Sequence, residues 1–567
     1  IDASITNAES NGYRIVASGA KLKGNMYRGF ENILKNRDPR DAMVITQRHC
    51  GVCPFGHGMA SSKNIGTAFR YQVHYEDKNA DPLQRPLKNW TNKTLPQNAA
   101  PFRNLIHVGN HLMSHILHFY HLVALDYVKP VVWNGTSFTP LTRPFLAPRY
   151  DDSYYITTAR VLAVAPLLPT AAVTTLSGLP GWGVDPGDAV NNYLTGQYLR
   201  ALNIRRMTHE LLAIFGGRAP HGSGFTPGGA TSNTSQADID KAREILYKGS
   251  GSGTPSSPAT GTIMDFVGDP LDFANGKAGT MMFDTVAAAH LFPEYFWIGN
   301  TCGNFMSFGW GEETGTIHYT DSVYGGLFPG GKTNPDQRAL KRGWYAGGVN
   351  GCIPPINVQA VNIMNIGESV QTGSKYVPYT GFKHPWTGVT TPDPEKIANP
   401  SGYSWLKAPR YNVGTDLSPD WRVFEVGPLS RLVVDGSYWA GILNTAGYTV
   451  TPTAGAPGPD CDGGGDLIGG ALKPIYAAIP PLGRTGGPNL SGVAYNGDSV
   501  IDRIATRTLE TRMMCDQAKH FLDQIEGTVV DGYASTGITD DKVPIKTVMK
   551  KGYGMTAASR GALSHWI

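Results

Sequence analysis

The sequence is poor in cysteine, in long apolar runs and in charge of one sign. Six cysteines among 567 residues are too few for a disulfide framework. No apolar run reaches the ~20 residues that span a bilayer. The best stretch, Val161 to Leu176, is broken by Pro166 and Pro169. The first residues lack the basic and apolar regions of a signal peptide, so a soluble body is expected whose membrane attachment or export comes through a partner. Lys plus Arg (49) against Asp plus Glu (45) leaves a formal charge of +4, too even a balance for a nucleic-acid or polybasic membrane binder.

What the chain does have is apolar substance and loop-forming residues. Hydrophobic residues at 41% provide a sizeable core, and 69 glycines and 40 prolines point to long ordered loops. Two stretches read as loop insertions: 249–261, opening Gly249-Ser-Gly-Ser-Gly-Thr-Pro, and 451–466, which contains Cys461. Neither separates segments of different composition, so residues 1–567 are read as one body.

Helical period is visible in three places. Between Asn104 and Asp126, His111, His115, His118 and Leu122 recur on one face. Ala201 to Phe215 is a charged amphipathic helix stopped by Gly216-Gly217. Ile504 to Glu526 gathers Met514, Ala518, Phe521, Leu522 and Ile525 on one side before Gly527. Strand-like pieces such as Trp421 to Val426 are short. The fold class expected is mainly α with smaller irregular β excursions.

The strongest chemical signal is Arg48-His-Cys-Gly-Val-Cys-Pro-Phe-Gly-His57. Two thiols three positions apart can grip one soft metal ion, and Gly51 lets the turn between them fold tightly. Arg48 favours the thiolate, the form that binds metal. His57 could bind the metal or hydrogen-bond to a cysteine sulfur. Spacing alone leaves zinc, a redox dithiol and a transition-metal catalytic site open, because no second C-x-x-C completes a closed zinc site. Cys515 reads as a buried apolar cysteine, and Cys302 and Cys352 as packed. The histidine row reads as core or interface histidines before it reads as a metal face.

Five ordered motifs then match one family. They are Tyr27-Arg-Gly-Phe-Glu31 through Asp38-Pro-Arg-Asp41 to His57; Arg103-Asn-Leu with Ser114-His-Ile-Leu-His-Phe-Tyr-His-Leu122; Phe215-Gly-Gly-Arg-Ala-Pro-His221; His384-Pro-Trp-Thr-Gly388 with Trp405 to Tyr411 and Glu425-Val-Gly-Pro-Leu-Ser-Arg431; and Ser559-Arg-Gly-Ala-Leu-Ser-His-Trp566. In these the sequence resembles the large subunit of the [NiFe]-hydrogenases, of the respiratory membrane-associated uptake group. The resemblance implies a helical large-subunit core and reversible heterolytic cleavage of H2, with H2 uptake as the expected direction.

It further implies a nickel–iron centre with CO and cyanide on the iron, held by four thiolates. Cys50 maps to a terminal nickel ligand and Cys53 to a bridging one. His57 maps to the histidine bonded to the bridging cysteine, and Arg560 to the guanidinium over the metals, where a permanently charged group serves better for charge stabilisation than as a base. Glu31 maps to a magnesium ligand, suited by its hard oxygen donor. The expected partner is an iron–sulfur small subunit, because the chain lacks the cysteines for its own cluster relay. A membrane cytochrome b or quinone-linked anchor is a further expected partner. The expected location is the periplasmic or outer face of a membrane, reached through the partner, with a cytoplasmic enzyme as the alternative.

Departures from the family pattern are equally specific. Its second cysteine pair, in a C-terminal C-x-x-C-x-x-H, is not in this sequence, and neither is an N-terminal segment bearing a proton-transfer glutamate; an incomplete sequence is the expected cause. Ser114 stands where a canopy aspartate is usual, Ser559 where proline is usual, and His49 where a small apolar residue is usual. Tyr71 to Trp90 reads as an insertion. Two readings compete: a metal-free relative of the complex I quinone-site subunit, and a zinc-binding scaffold.

Overall fold

The computed structural model describes residues 28–68, 99–141, 155–254, 257–269, 272–292, 295, 299, 302–312, 340–346, 358–370, 381–388, 407–435, 499–530, 533–534 and 551–567, with two-residue strands at Ile5–Thr6 (β1) and Arg14–Ile15 (β2). The 451–466 stretch, the 71–90 insertion, Cys352 and Cys461 lie outside the described residues.

Helices build the core. In chain order they are α1 (Phe30–Leu34), α2 (Ala42–Ile45), α3 (Pro54–Ala68), α4 (Ala99–Ile116), α5 (Thr158–Val164), α6 (Thr170–Ser177), α7 (Pro186–Gly216), α8 (Gln236–Arg243), α9 (Ile263–Val267), α10 (Met281–Leu291), α11 (Pro428–Asp435) and α12 (Val500–Glu526). The long helix α4 packs against both α7 and α12. Their contact is made by fully buried Phe102, Leu105, Leu112, Ile116, Leu211, Phe215, Met514 and Phe521. Burying each such side chain contributes about 1.5–3 kcal/mol relative to exposure.

Local sequence explains the boundaries of these helices. Ser499 caps α12: its hydroxyl accepts from the backbone N–H of Asp502, whose carboxylate returns the bond to the Ser499 N–H. Asp185 caps α7, with Pro186 at the first helical position, and Gly217 ends the helix in the left-handed conformation at φ 76°. The expected helix Ala201 to Phe215 is therefore only the C-terminal half of α7. In α4 the backbone widens into a π-type turn over Leu117–Val123. The extra residue per turn rotates the histidine row: His111 and His115 are fully buried, His118 is partly exposed, and Leu122 lies 47% exposed.

The strands form small antiparallel units rather than one large sheet. β3 (Val131–Trp133) pairs with β4 (Phe138–Pro140), and β5 (Phe225–Thr226) with β6 (Gly229–Ala230). β7 (Thr234–Ser235) is a two-residue strand, and β8 (Asn304–Trp310) pairs with β9 (Leu340–Ala346). β10 (Ile366–Val370), β11 (Gly381–Lys383), β12 (Ala408–Asn412) and β13 (Trp421–Arg422) form a four-stranded sheet in the order β11-β10-β12-β13. The expected strand at Trp421 to Val426 thus shortens to its first two residues. β14 (Val529–Val530) and β15 (Tyr533–Ala534) extend β7.

One hairpin matters most for function: β16 (Tyr553–Ala558) and β17 (Gly561–Trp566), joined by the two-residue tip Ser559-Arg560. β16 lies directly on α3. The approach is so close that a Cβ at Gly554 would stand 1.9 Å from the Ala60 carbonyl oxygen, so only glycine fits.

Candidate metal centre

Two backbone features aim the cysteine pair. Pro54 opens α3, placing Cys53 immediately before a helix N-terminus, where the macrodipole favours negative charge. The turn folds back so that the Cys50 sulfur accepts from the N–H groups of Val52 (3.3 Å) and Cys53 (3.2 Å). From outside, Asn110 of α4 donates to the Val52 carbonyl at 2.8 Å, and Arg28 donates to the His49 carbonyl at 2.6 Å. Both cysteines are free thiols and half-buried.

The pair gives up a first proton more easily than an ordinary thiol and holds the second more tightly. Burial opposes ionisation of Cys50, but hydrogen bonds from Cys53 and Val52, with the Arg560 charge, bring its thiol below the ordinary value. Burial, then the hydrogen bond with Cys50, pushes Cys53 up to about 12, and Arg560 works against that rise. Arg560 therefore acts on both thiols from the exposed tip of the β16–β17 hairpin.

Behind the thiols runs a neutral imidazole pair. His57 Nδ1 lies 3.3 Å from His565 Nε2, and His565 Nδ1 lies 2.8 Å from the Ser61 hydroxyl, which meets Thr46 at 2.8 Å. Burial, with His49 and Arg28 nearby, pushes His57 down to about 4; burial beside His57 pushes His565 down to about 3. The expectation for His57 was a bond to a cysteine sulfur, whereas its ring nitrogen here faces His565, a residue of the C-terminal motif that spacing did not single out.

The remaining expected residues are distributed differently. Ser114 is fully buried on α4, and its hydroxyl finds no hydrogen-bond partner among the described residues. Glu31, on α1, is drawn to Lys407 at 2.9 Å, and the same ammonium reaches Glu368 at 3.1 Å. Cys515 is fully buried, and burial raises its thiol well above the usual value. Cys302 corrects the expectation of a packed residue: it is exposed, its sulfur donating to the Val423 carbonyl at 3.2 Å. It lies two residues before β8.

Sequence spacing also passed over Arg431 and Glu510. Arg431 on α11 forms a bidentate pair with Glu510 on α12 at 2.5 and 2.6 Å, and His115 Nε2 lies 2.7 Å from the same carboxylate. Burial opposes the charge on Glu510, but Arg431 and the hydrogen bonds of Arg431 and His115 hold its carboxyl well below the usual range. A signal existed: Glu510 stands one helical turn before Met514 and two before Ala518, on the apolar face, where an unpaired carboxylate is not tolerated.

The donor set fits part of a soft-metal centre. Two half-buried thiols three residues apart, one biased toward thiolate, offer sulfur donors within the electrostatic reach of the Arg560 guanidinium. Among the described residues no group of three or more His, Cys, Asp or Glu side chains converges to hold a metal by itself. A helical body bearing such a half-set is consistent with a thiolate metal protein that draws its remaining ligands from elsewhere.

Comparison with known proteins specifies which one. The profile of the nickel-dependent hydrogenases matches residues 28–83, 84–138, 182–447 and 489–567, and the chain belongs to that family as a large, catalytic subunit. The large subunit of the periplasmic [NiFeSe] hydrogenase of Desulfomicrobium baculatum is 32% identical over 97% of this chain and 76% of its own length. The uptake hydrogenase large subunit of Bradyrhizobium diazoefficiens is 25% identical over 97% of this chain and 80% of its own. The hydrogenase-2 large chain of Escherichia coli is 26% identical over 97% and 81%. The solved structure of H2-activated Dm. baculatum [NiFeSe]-hydrogenase superposes with a TM-score of 0.57, at 27% identity, over 98% of this chain and 83% of that one. The helical core is that of hydrogenase large subunits. Neither the metal-free nor the zinc-scaffold reading gains support.

Proposed function

We propose that Cys50 and Cys53 supply two of the thiolate ligands of a nickel–iron centre, Cys50 as a terminal nickel ligand and Cys53 as a bridge, in an enzyme working toward H2 uptake. The observation that carries this reading is the meeting of the two thiols, the helix N-terminus and the Arg560 tip at one half-buried point. When bound, the centre would supply the Lewis-acidic, redox-active metal pair that H2 cleavage needs. CO and cyanide on its iron are part of the same proposal.

Each protein group then has a physical task. The Arg560 guanidinium offers fixed positive charge where negative charge gathers on sulfur. His57 and His565, kept neutral by burial and bonded to each other, flank the start of α3 just after Cys53 without adding charge of their own. Ser114 leaves its place beside the site without a carboxylate, so Arg560 has no acidic neighbour from α4 there. Glu31, with Lys407 as its present counter-charge, is the carboxylate we assign to magnesium.

An iron–sulfur small subunit would take the electrons, and the uptake and periplasmic relatives support a location at the outer face of a membrane through that partner or a cytochrome b or quinone-linked anchor. No helix of the described residues is long and apolar enough to cross a membrane. Residues 1–567 are taken as one body, with 249–261 and 451–466 as loop insertions. Infrared spectroscopy of the purified complex, together with H2-dependent dye reduction, tests the proposal. Bands from CO and cyanide with H2 uptake are expected; zinc alone, with neither, would overturn it.

A further inference from the structure

Arg560 stands exposed on a tip of two residues whose other member, Ser559, is fully buried. The backbone of this tip is gripped from α11. Arg431 donates through one terminal nitrogen to the carbonyls of Ala558 (2.7 Å) and Gly561 (3.1 Å), and through the other to that of Ser559 (3.4 Å). Those three carbonyls belong to the two residues flanking the tip and to the tip itself. Gly427, just before α11, has φ +123°, and a Cβ there would come within 3.1 Å of the Arg560 carbonyl oxygen. The tip is thus held by a guanidinium on one side and by bare backbone on the other.

The other edge of the Arg431 fork is fixed by Glu510 at 2.5 and 2.6 Å, and Glu510 by His115 at 2.7 Å. All three side chains are at most 1% exposed. An ion pair so buried adds little net stability compared with apolar packing. Apolar side chains in its place would still hold α11 to α12, but they could not direct donors at three carbonyls. Lysine could not do so either, since its single ammonium cannot present a planar fork to the carboxylate and the carbonyls together. His115 follows Ser114 on α4, so the same network ties the helix carrying Ser114 to the tip.

We infer that Arg431 is a positioning residue. With Glu510 and His115 behind it, Arg431 sets the Ser559–Arg560 tip so that the Arg560 guanidinium stands over the cysteine pair. This rests on the role given to Arg560 above, and it assigns Arg431 no contact with substrate or metals.

A double-mutant cycle in the purified holoenzyme tests it, with amide hydrogen exchange as a second readout. R431M is expected to lower kcat about 100-fold, the scale of an ångström-sized misplacement. It should also speed exchange of the 553–566 amides more than that of α4 and α12, where the unpaired Glu510 is felt as well. R431K should recover only part of the loss. In the R560A background R431M should cost nothing further, because the group it positions is gone. If R431M does not assemble, E510Q with R560A runs the same cycle. A loss in the double variant equal to the product of the single losses would refute positioning through Arg560 while leaving Arg560's own role standing. Wild-type activity in R560A alone would refute that role itself. Unchanged hairpin exchange in R431M would contradict the grip on the tip.

Discussion

Cys50 and Cys53 differ although they are three residues apart, and the difference is environmental. Cys50 collects backbone donors, whereas Cys53 is more deeply set, keeps its proton and donates a hydrogen bond to the Cys50 sulfur. Arg560 biases both toward the charged form. Its replacement by alanine is expected to lower kcat by about 100-fold, the scale of losing one preorganised charge-stabilising donor. Nickel content should stay at the wild-type level, because Arg560 is not a ligand. Arg560→Lys should keep more activity than Arg560→Ala if charge is what matters; metal analysis beside steady-state kinetics separates the two effects. At this scale the cysteine pair was legible in its spacing, and Arg560 in the resemblance alone. His565 was not legible, because a lone histidine near a chain's last residues carries no spacing signal. Glu510 was concealed in a helix whose apolar face was read and whose one charge on that face was not.

At the scale of elements, the hairpin's seat on α3 decides where Arg560 can be. Gly554→Ala adds a Cβ into the Ala60 carbonyl and should destabilise the protein by about 1–3 kcal/mol. Thermal unfolding measures that loss, and faster exchange of the β16 amides would place it. Loss of the α12 cap in Ser499→Ala should cost about 1 kcal/mol, read in the same way. A third prediction concerns α10, where Asp284 accepts from Tyr120 (2.6 Å), Tyr193 (2.5 Å) and Gln197 (3.0 Å).

Burial outweighs those hydrogen bonds and raises the Asp284 carboxyl to about 6. A carboxyl whose folded pKa lies above its unfolded value holds its proton more tightly when folded. Its contribution is therefore fully present below about pH 4 and is lost as pH rises through about 6. Against Asp284→Asn, the wild type should lose relative stability between pH 4 and 6, as measured by denaturant unfolding at several pH values. A flat difference across that window would sink the claim. The long helices were legible from their apolar period, but α7 was read short. Its start is announced by Asp185-Pro186 with Asp188, a capping signal rather than a hydrophobic one. The π-type turn after α4 left no mark in the pattern, because one added residue per turn shifts a face without breaking it.

On the scale of the whole molecule, α4 and α12 form a frame on which α3, α11 and the hairpin converge. Three segments far apart in sequence meet there: the cysteine turn at 50–53, the start of α11 near 428–431 and the tip at 559–560. Long-range convergence of this kind is invisible to local spacing, which explains why the sequence alone left zinc, redox and catalytic metal open while the ordered motifs narrowed the choice. The measurement that bears most directly on the central claim is nickel and iron content of the purified large–small complex in wild type and in Cys53→Ala. Equal nickel and iron in the wild type, both lost together with H2 uptake in the variant, is the predicted result. Retention of either metal at wild-type occupancy in Cys53→Ala would contradict the assignment of that sulfur as a bridge.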